Sequence, residues 1–254
     1  MLIRSTWTLT PSTVVSLPRA YHLELAKILH DRMDIVMGEE SVPSTTYSGL
    51  MGRVTPSQDF LTFSPEESYQ LVLCGLQESS SRAIAPLDLS EQLDFLGASF
   101  TVSDRQDEIT SYEKLYHEMV AVEPDAQPFL DLQFLTPTSF AQGRAYLPLP
   151  VPTLLFRSWI ERWNHFAPVY LGSDELVEYL GEAIALNRHN IRTHSFKVYK
   201  GKMTGFQGTV RLNVMRFADP LLANVANLLA HYAQFSGTGM KTRVGMGQTL
   251  KLGQ

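Results

Sequence analysis

Apolar and polar residues alternate most regularly in residues 19–37, RAYHLELAKILHDRMDIVM, where Leu25, Ala26, Leu29, Met33 and Val36 recur at helical steps while Glu24, Lys27, Asp31 and Asp34 fall opposite. This spacing predicts an amphipathic helix just after Pro18. Before it, LIRSTWTL (2–9) alternates with period two and meets Pro11, which predicts a strand. TTYSGLMGRV (45–54) and DFLTFS (59–64) read as strands around a polar turn. SPEESYQLVLCGL (64–76) fits two patterns: its Ser-Pro-Glu-Glu start has capping-box form, whereas Tyr69, Leu71 and Leu73 alternate, and the alternation favours a strand. DLSEQLDFLG (88–97) reads as a short helix closed by Gly97, and KLYHEMVAVE (114–123) as a strand. Residues 1–124 therefore spell β-α-β-β-α-β.

EPDAQPF (123–129) is rich in proline and acid, which marks a boundary between residues 1–124 and 125–254. The second part repeats the plan. FLDLQFLTPTSF (129–140) predicts a strand and turn, and the helix that follows places Leu155, Trp159 and Trp163 four residues apart. SFKVYKGKMTGFQGTVRLNVM (195–215) predicts a hairpin. DPLLANVANLLAHYAQFSG (219–237) has Asp219 as N-cap, Pro220 at the first helical position and Gly237 as the stop, and VGMGQTLKL (244–252) closes as a strand. Two such units in tandem predict an α+β protein, a duplicated ferredoxin-like fold.

The 254 residues, 44% apolar and 19% charged, suffice for two packed domains without staples. A single cysteine, Cys74, forms no internal disulfide, the N-terminus lacks a continuous apolar leader, and no stretch reaches the ~18 apolar residues of a membrane span. A cytoplasmic location and no membrane partner are expected. Charge adds the next distinction. The net charge of −5 hides a split: residues 1–140 hold 8 Lys+Arg against 20 Asp+Glu, and residues 141–254 hold 13 against 6. From Arg188 onward Asp219 is the single acid, so the C-terminal part has the footprint of a polyanion binder, with nucleic acid the first candidate.

FSGTGMKTRVGMGQ (235–248) concentrates four glycines near that basic block. A P-loop needs G-x-x-x-x-G-K-[ST] between a strand and a following helix, so that helix N-terminal amides meet the phosphates. Here the order is reversed and the spacing differs, which argues against ATP or GTP in that mode. One reading makes Gly237 a helix cap and the other glycines turn residues. The other brings the backbone of Gly237, Gly239 and Gly245 close to a phosphate chain, with Lys241, Thr242 and Arg243 in reach. Arg192 and His194, among further cations and with His189 nearby, predict a phosphate-facing surface; two histidines without cysteines are a poor metal set, and neither metal nor cofactor is expected. Lys200 and Lys202 flank a glycine at the predicted hairpin tip and suit either an RNA groove or a solvated turn. Phe156, Trp159 and Trp163 are better core residues than base-stacking ones.

The glycine segment after a long helix resembles the C-terminal motif of the CRISPR-associated Cas6 endoribonucleases, members of the RAMP superfamily. FLDLQFLTPTSF with the helix after it is similar to that family's T-P-T segment, GFQGTVRLNV to its G-F-x-G strand, and TTYSGLMG to its F-T-Y-S strand. The resemblance implies tandem ferredoxin-like domains and metal-independent cleavage of CRISPR repeat RNA: a 2′-OH attacks the adjacent phosphate, leaving a 2′,3′-cyclic phosphate and a 5′-OH.

Such a reaction needs a base, an acid and cations on the phosphate. Family members commonly take a histidine from the first helix or the loop after it, which implies His30, at the edge of the apolar stripe, or alternatively His22. Lys27, one turn before His30, is a candidate cation or a solvated helix charge. Tyr47 and Ser48 match the strand motif and supply hydroxyls, or pack in the core. The loop after the helix lacks the histidine and lysine that some members carry there. The implied partners are CRISPR repeat RNA and other Cas subunits of an interference complex. The alternative is a non-catalytic RAMP subunit that binds guide RNA.

Overall fold

The computed structural model describes residues 1–36, 38, 40–89, 92–198 and 201–253. The first unit comprises β1 (Leu2–Pro11), α1 (His22–Arg32), β2 (Thr45–Met51), β3 (Tyr69–Gly75), α2 (Glu78–Ile84) and β4 (Ala98–Thr110). Its strands lie in the order β2-β3-β1-β4, all antiparallel, with the short strand Leu93–Phe95 outside β4. After α3 (Tyr112–Tyr116) the second unit comprises β5 (Phe129–Thr138), α4 (Pro152–Phe166), α5 (Asp174–Ala183), β6 (Ile184–Val198), β7 (Gly201–Val214), α6 (Pro220–Ser236) and β8 (Thr249–Leu252). Its order, β6-β7-β5-β8, repeats the first, again antiparallel. The molecule is thus an α+β tandem of ferredoxin-like units. No described helix is long and apolar enough to cross a membrane.

Burial follows the patterns that made these elements legible. β1 and β5 bury alternate residues, and Trp159 and Trp163 of α4 are fully buried, as the helical spacing required. Among the described residues two large apolar clusters form, beside a small third one of Phe196, Met203 and Met246. One holds Trp7, Leu25, Leu29, Phe63 and Phe100; the other holds Phe134, Trp159, Trp163, Phe206 and Leu229, and also takes in Tyr112, Leu115 and Val120 from the connecting segment. Tyr112 crosses between the units, donating to the Leu76 carbonyl at 2.8 Å and standing 3.2 Å from the Tyr232 hydroxyl.

Two elements differ from the sequence-based expectation. The second helix is not within residues 88–97 but at Glu78–Ile84, and Leu93–Phe95 is a strand; Ser90 and Glu91 lie outside the described residues. ESSSRAI has weak helix propensity, so its cause is tertiary. Ser80 bonds the Ser44 carbonyl, Ser81 bonds the Met1 and Gly75 carbonyls, and Arg105 donates to the carbonyls of Ile84, Ala85 and Leu87 at its end. Residues 114–123 are not a strand: Ser111 caps α3, accepting from the Lys114 amide at 3.1 Å, and the chain runs on as a π-helical turn, His117–Ala121. The fourth strand is β4, whose SDRQDEIT stretch is too solvated to alternate visibly. Within the second unit, α5 is an additional helix beside α4.

Candidate active site and nucleic-acid interface

The glycine segment leaves α6 where Gly237, with φ 64°, ends the helix. It then folds tightly on itself and on the end of β5: the Thr238 amide donates to the Gly247 carbonyl at 2.8 Å, Met240 to Ser139 at 3.0 Å and Gly247 to Pro137 at 3.1 Å. Thr242–Val244 is a short 3-10 turn. Two glycines show why side chains are excluded. A Cβ on Gly239, at φ 73°, would strike the Ser139 carbonyl oxygen, and one on Gly245, at φ 104°, would lie 2.8 Å from His22 Nδ1. The bare backbone therefore serves the loop's own packing, independently of any ligand.

The loop faces α1 across a cavity of about 680 Å3 between the two units. Leu23 and Lys27 of α1, with Gly38, Ser41 and Pro43, line one side; Met240, Lys241, Thr242 and Arg243 line the other, and Arg162 and Val198 complete it. Of the residues singled out in the sequence, the fold brings Lys27, Lys241, Thr242 and Arg243 to this cavity. Lys27 also pairs with Glu24 at 2.8 Å. Lys241 is held in a left-handed conformation, φ 60° and ψ 28°, and Thr242 is buried with its hydroxyl unpartnered.

His30 does not line this cavity; it is 3% exposed, one turn after Lys27 on α1, and feels the charge of Arg243. Its Nδ1 is 2.7 Å from the Ala26 carbonyl, which only accepts, so Nδ1 carries the proton; Nε2, 3.1 Å from Thr45 Oγ1, then accepts from that hydroxyl. Burial lowers its pKa below the usual imidazole value, the Ala26 bond opposes that, and Arg243 lowers it further. The helix-edge position expected for a cleft residue is covered by β2 at Thr45. His22 is partly exposed, stacks on Tyr21 with centroids 4.1 Å apart and lies 4.6 Å from the Phe196 ring. Its Nδ1 is buried without a partner, and desolvation pushes its pKa down to about 3.

Tyr47 and Ser48 are both 1% exposed and do not line the cavity. Tyr47 donates to the His22 carbonyl at 3.0 Å, fixing the start of α1, and burial raises its phenol well above its ordinary pKa. Ser48 donates to the Gly49 carbonyl at 2.6 Å and accepts from the Val72 amide at 2.8 Å. Their hydroxyls are committed to the backbone.

Arg192 and His194 lie on exposed β6, lining with Gln133, Asn190 and Gln207 a shallow groove of about 380 Å3 on the second sheet. β6 reaches the main cavity at Val198, six residues from Arg192 or ~20 Å at strand rise. Lys202 is exposed and paired in register with Lys197, whose ammonium meets Asp59 at 3.0 Å; Lys200 lies outside the described residues. Sequence reasoning missed Arg162, Ser158 and Phe196. A charge and a hydroxyl four residues apart beside the Trp159/Trp163 stripe were the available signal.

A tandem ferredoxin-like α+β protein with a basic cavity between its units belongs to a recognisable class. The family model for the CRISPR-associated endoribonuclease Cas6 matches residues 132–249. The Cas6 endoribonuclease of Mycobacterium tuberculosis is 27% identical over 142 residues, 56% of this chain and 43% of that protein. That of Streptococcus thermophilus is 30% identical over 122 residues, 48% of this chain and 49% of that protein. The chain thus spans about half the length of the curated relatives it matches. A solved Cas6 product complex shares the fold over 99% of both chains, with a TM-score of 0.74 and 23% identity. Over residues 132–249 the chain is similar to the Cas6 family, and over its whole length it shares the fold of solved Cas6 structures.

Proposed function

We propose that this protein is an endoribonuclease of the cytoplasm that cleaves CRISPR repeat RNA to give guide RNA, without a metal, by attack of a 2′-OH on the adjacent phosphate. The observation that supports this reading is the convergence of Lys27 from the first unit with Lys241 and Arg243 from the second around one cavity, with His30 one turn after Lys27 on α1 and within the electrostatic reach of Arg243. The cations neutralise the phosphate and its developing charge. His30 takes the proton-transfer role at Nε2, the nitrogen now held by Thr45. The exposed β6 face with Arg192 and His194, and Lys202 at the start of β7, extends the phosphate-binding surface, while Tyr47 and Ser48 act by holding α1 and β2. In this reading the division at residues 124/125 separates a unit carrying the proton-transfer group from one carrying the RNA platform, and further Cas subunits meet the product complex.

One observation favours a second reading, a non-catalytic subunit that holds guide RNA: both His30 nitrogens are already bonded and the ring is buried as the neutral form. Single-turnover assays in EDTA, on a native repeat and on one with a 2′-deoxy nucleotide at the cut, separate the two. Cleavage of the native repeat alone, ending in a cyclic phosphate, is expected. Tight binding of both RNAs without cleavage selects the second reading, and cleavage that requires magnesium removes metal independence.

A further inference from the structure

The glycine-rich loop is held in place by α4, and the side chain that holds it is a buried arginine. Arg162 is 9% exposed, and among the described residues no carboxylate pairs with it. Its Nη1 donates to the Ser158 carbonyl at 2.9 Å and to the Ser158 hydroxyl, and its Nη2 donates to the Gly239 carbonyl. Ser158 Oγ in turn accepts the Gly239 amide at 2.8 Å. Both backbone polar groups of Gly239 are therefore taken by residues one turn apart on α4. One residue earlier, Trp159 Nε1 donates to Thr238 Oγ1 at 2.9 Å. On the loop's other edge Ser139 accepts the Met240 amide and leaves no room for a Cβ on Gly239.

Gly239 is thus clamped between α4 and the end of β5, two residues before Lys241. A non-glycine residue in left-handed backbone is disfavoured and persists where its surroundings over-determine it. The Gly239 clamp supplies that constraint for Lys241. An unpaired buried guanidinium is itself expensive, and an apolar side chain of similar length is commonly the more stable filling. A positioning duty accounts for its presence here, because the rigid fork reaches a carbonyl and a hydroxyl at once. Arg162 also lines the cavity that Lys27, Lys241 and Arg243 surround.

We propose that Arg162, acting with Ser158, is a positioning residue for RNA binding: it fixes the backbone at Gly239 so that Lys241 and Arg243 face the RNA phosphates. The inference rests on the reading above that this loop meets RNA. Nothing passes through Arg162 chemically; its effect is on how well two other cations are aimed.

The experiment measures affinity of the intact protein for repeat RNA blocked by a 2′-deoxy nucleotide, over a range of salt, together with thermal unfolding. The variants are Arg162→Lys, Ser158→Ala, Lys241→Ala/Arg243→Ala and the triple variant combining Arg162→Lys with the last pair. Arg162→Lys keeps the charge and loses the fork. It is expected to weaken binding about tenfold and to flatten the slope of log affinity against log salt toward that of the double variant, which lacks about two phosphate contacts. The triple variant should bind like the double one, since a positioning residue adds nothing once its targets are gone. With cleavable RNA the loss should fall on KM more than on kcat. If the double variant binds like wild type, the loop reading itself fails. If the double variant is weakened while Arg162→Lys binds normally, or if the triple variant adds the full tenfold, the positioning role is overturned. Should Arg162→Lys unfold, Ser158→Ala carries the same comparison, removing the Gly239 amide acceptor with a smaller change.

Discussion

The His30 imidazole bridges α1 and β2: its Nδ1–H is bound to the Ala26 carbonyl at 2.7 Å in its own helix, and its Nε2 accepts from Thr45 at 3.1 Å on the neighbouring strand. The same contacts that seat the ring select its tautomer and leave Nε2 as the one basic nitrogen. This arrangement turns the proposed chemistry into a measurable claim about a single residue.

Replacing His30 by alanine should lower single-turnover cleavage by about 10²–10⁴-fold, the usual weight of a general acid or base, while leaving RNA affinity within a few-fold. Quench-flow cleavage and filter binding on the same preparation check this. Unchanged cleavage by a folded His30→Ala protein would remove His30 from the mechanism.

Stability should fall with acid well before carboxylates titrate. His22 and His30 both have folded pKa values below the unfolded value of ~6.5, His22 at about 3 and His30 shifted the same way, so the unfolded chain binds the extra protons. Their contribution is complete above ~pH 6.5 and is lost as pH drops below it, at up to about 1.4 kcal/mol per pH unit for each group. Chemical denaturation between pH 7 and 5 should show this slope, and His22→Phe should remove about one group's share. A slope unchanged in that variant would mean that His22 is not desolvated in solution.

Arg192 and Arg211 offer a paired test of the basic face. Arg211 is locked to Asp131 by two bonds, at 2.7 and 2.8 Å, and its charge is already compensated. Arg192→Ala should therefore weaken repeat binding and reduce the salt slope by about one contact, whereas Arg211→Ala should leave the slope unchanged. Equal effects would show that the whole strand, rather than its uncompensated charge, is what RNA meets.

The tandem architecture was legible because its central strands and main helices carry patterns that survive burial. β1 and β5 alternate, α1 and α4 bear apolar stripes, and α6 has both a proline start with an aspartate cap and a glycine stop. α2 and β4 were not legible. The serines of α2 are helical because the Ser44, Met1 and Gly75 carbonyls accept from them and Arg105 donates to the carbonyls at the helix end, and the outer half of β4 is exposed and so lacks alternation.

The site divides in the same way. Composition and order alone determined the basic C-terminal half, the exclusion of a P-loop and the cationic character of Lys241 and Arg243, because these depend only on residue identity and sequence position. Tertiary structure decided that Lys27 meets those cations across a cavity, that Tyr47 and Ser48 are consumed by backbone bonds, that His30 is buried as one tautomer, and that Arg162 grips Gly239. Each of these depends on at least one contact between residues 15 to more than 200 positions apart. A periodic pattern reports which face of its own element is dry, but not which distant carbonyl, hydroxyl or charge covers it.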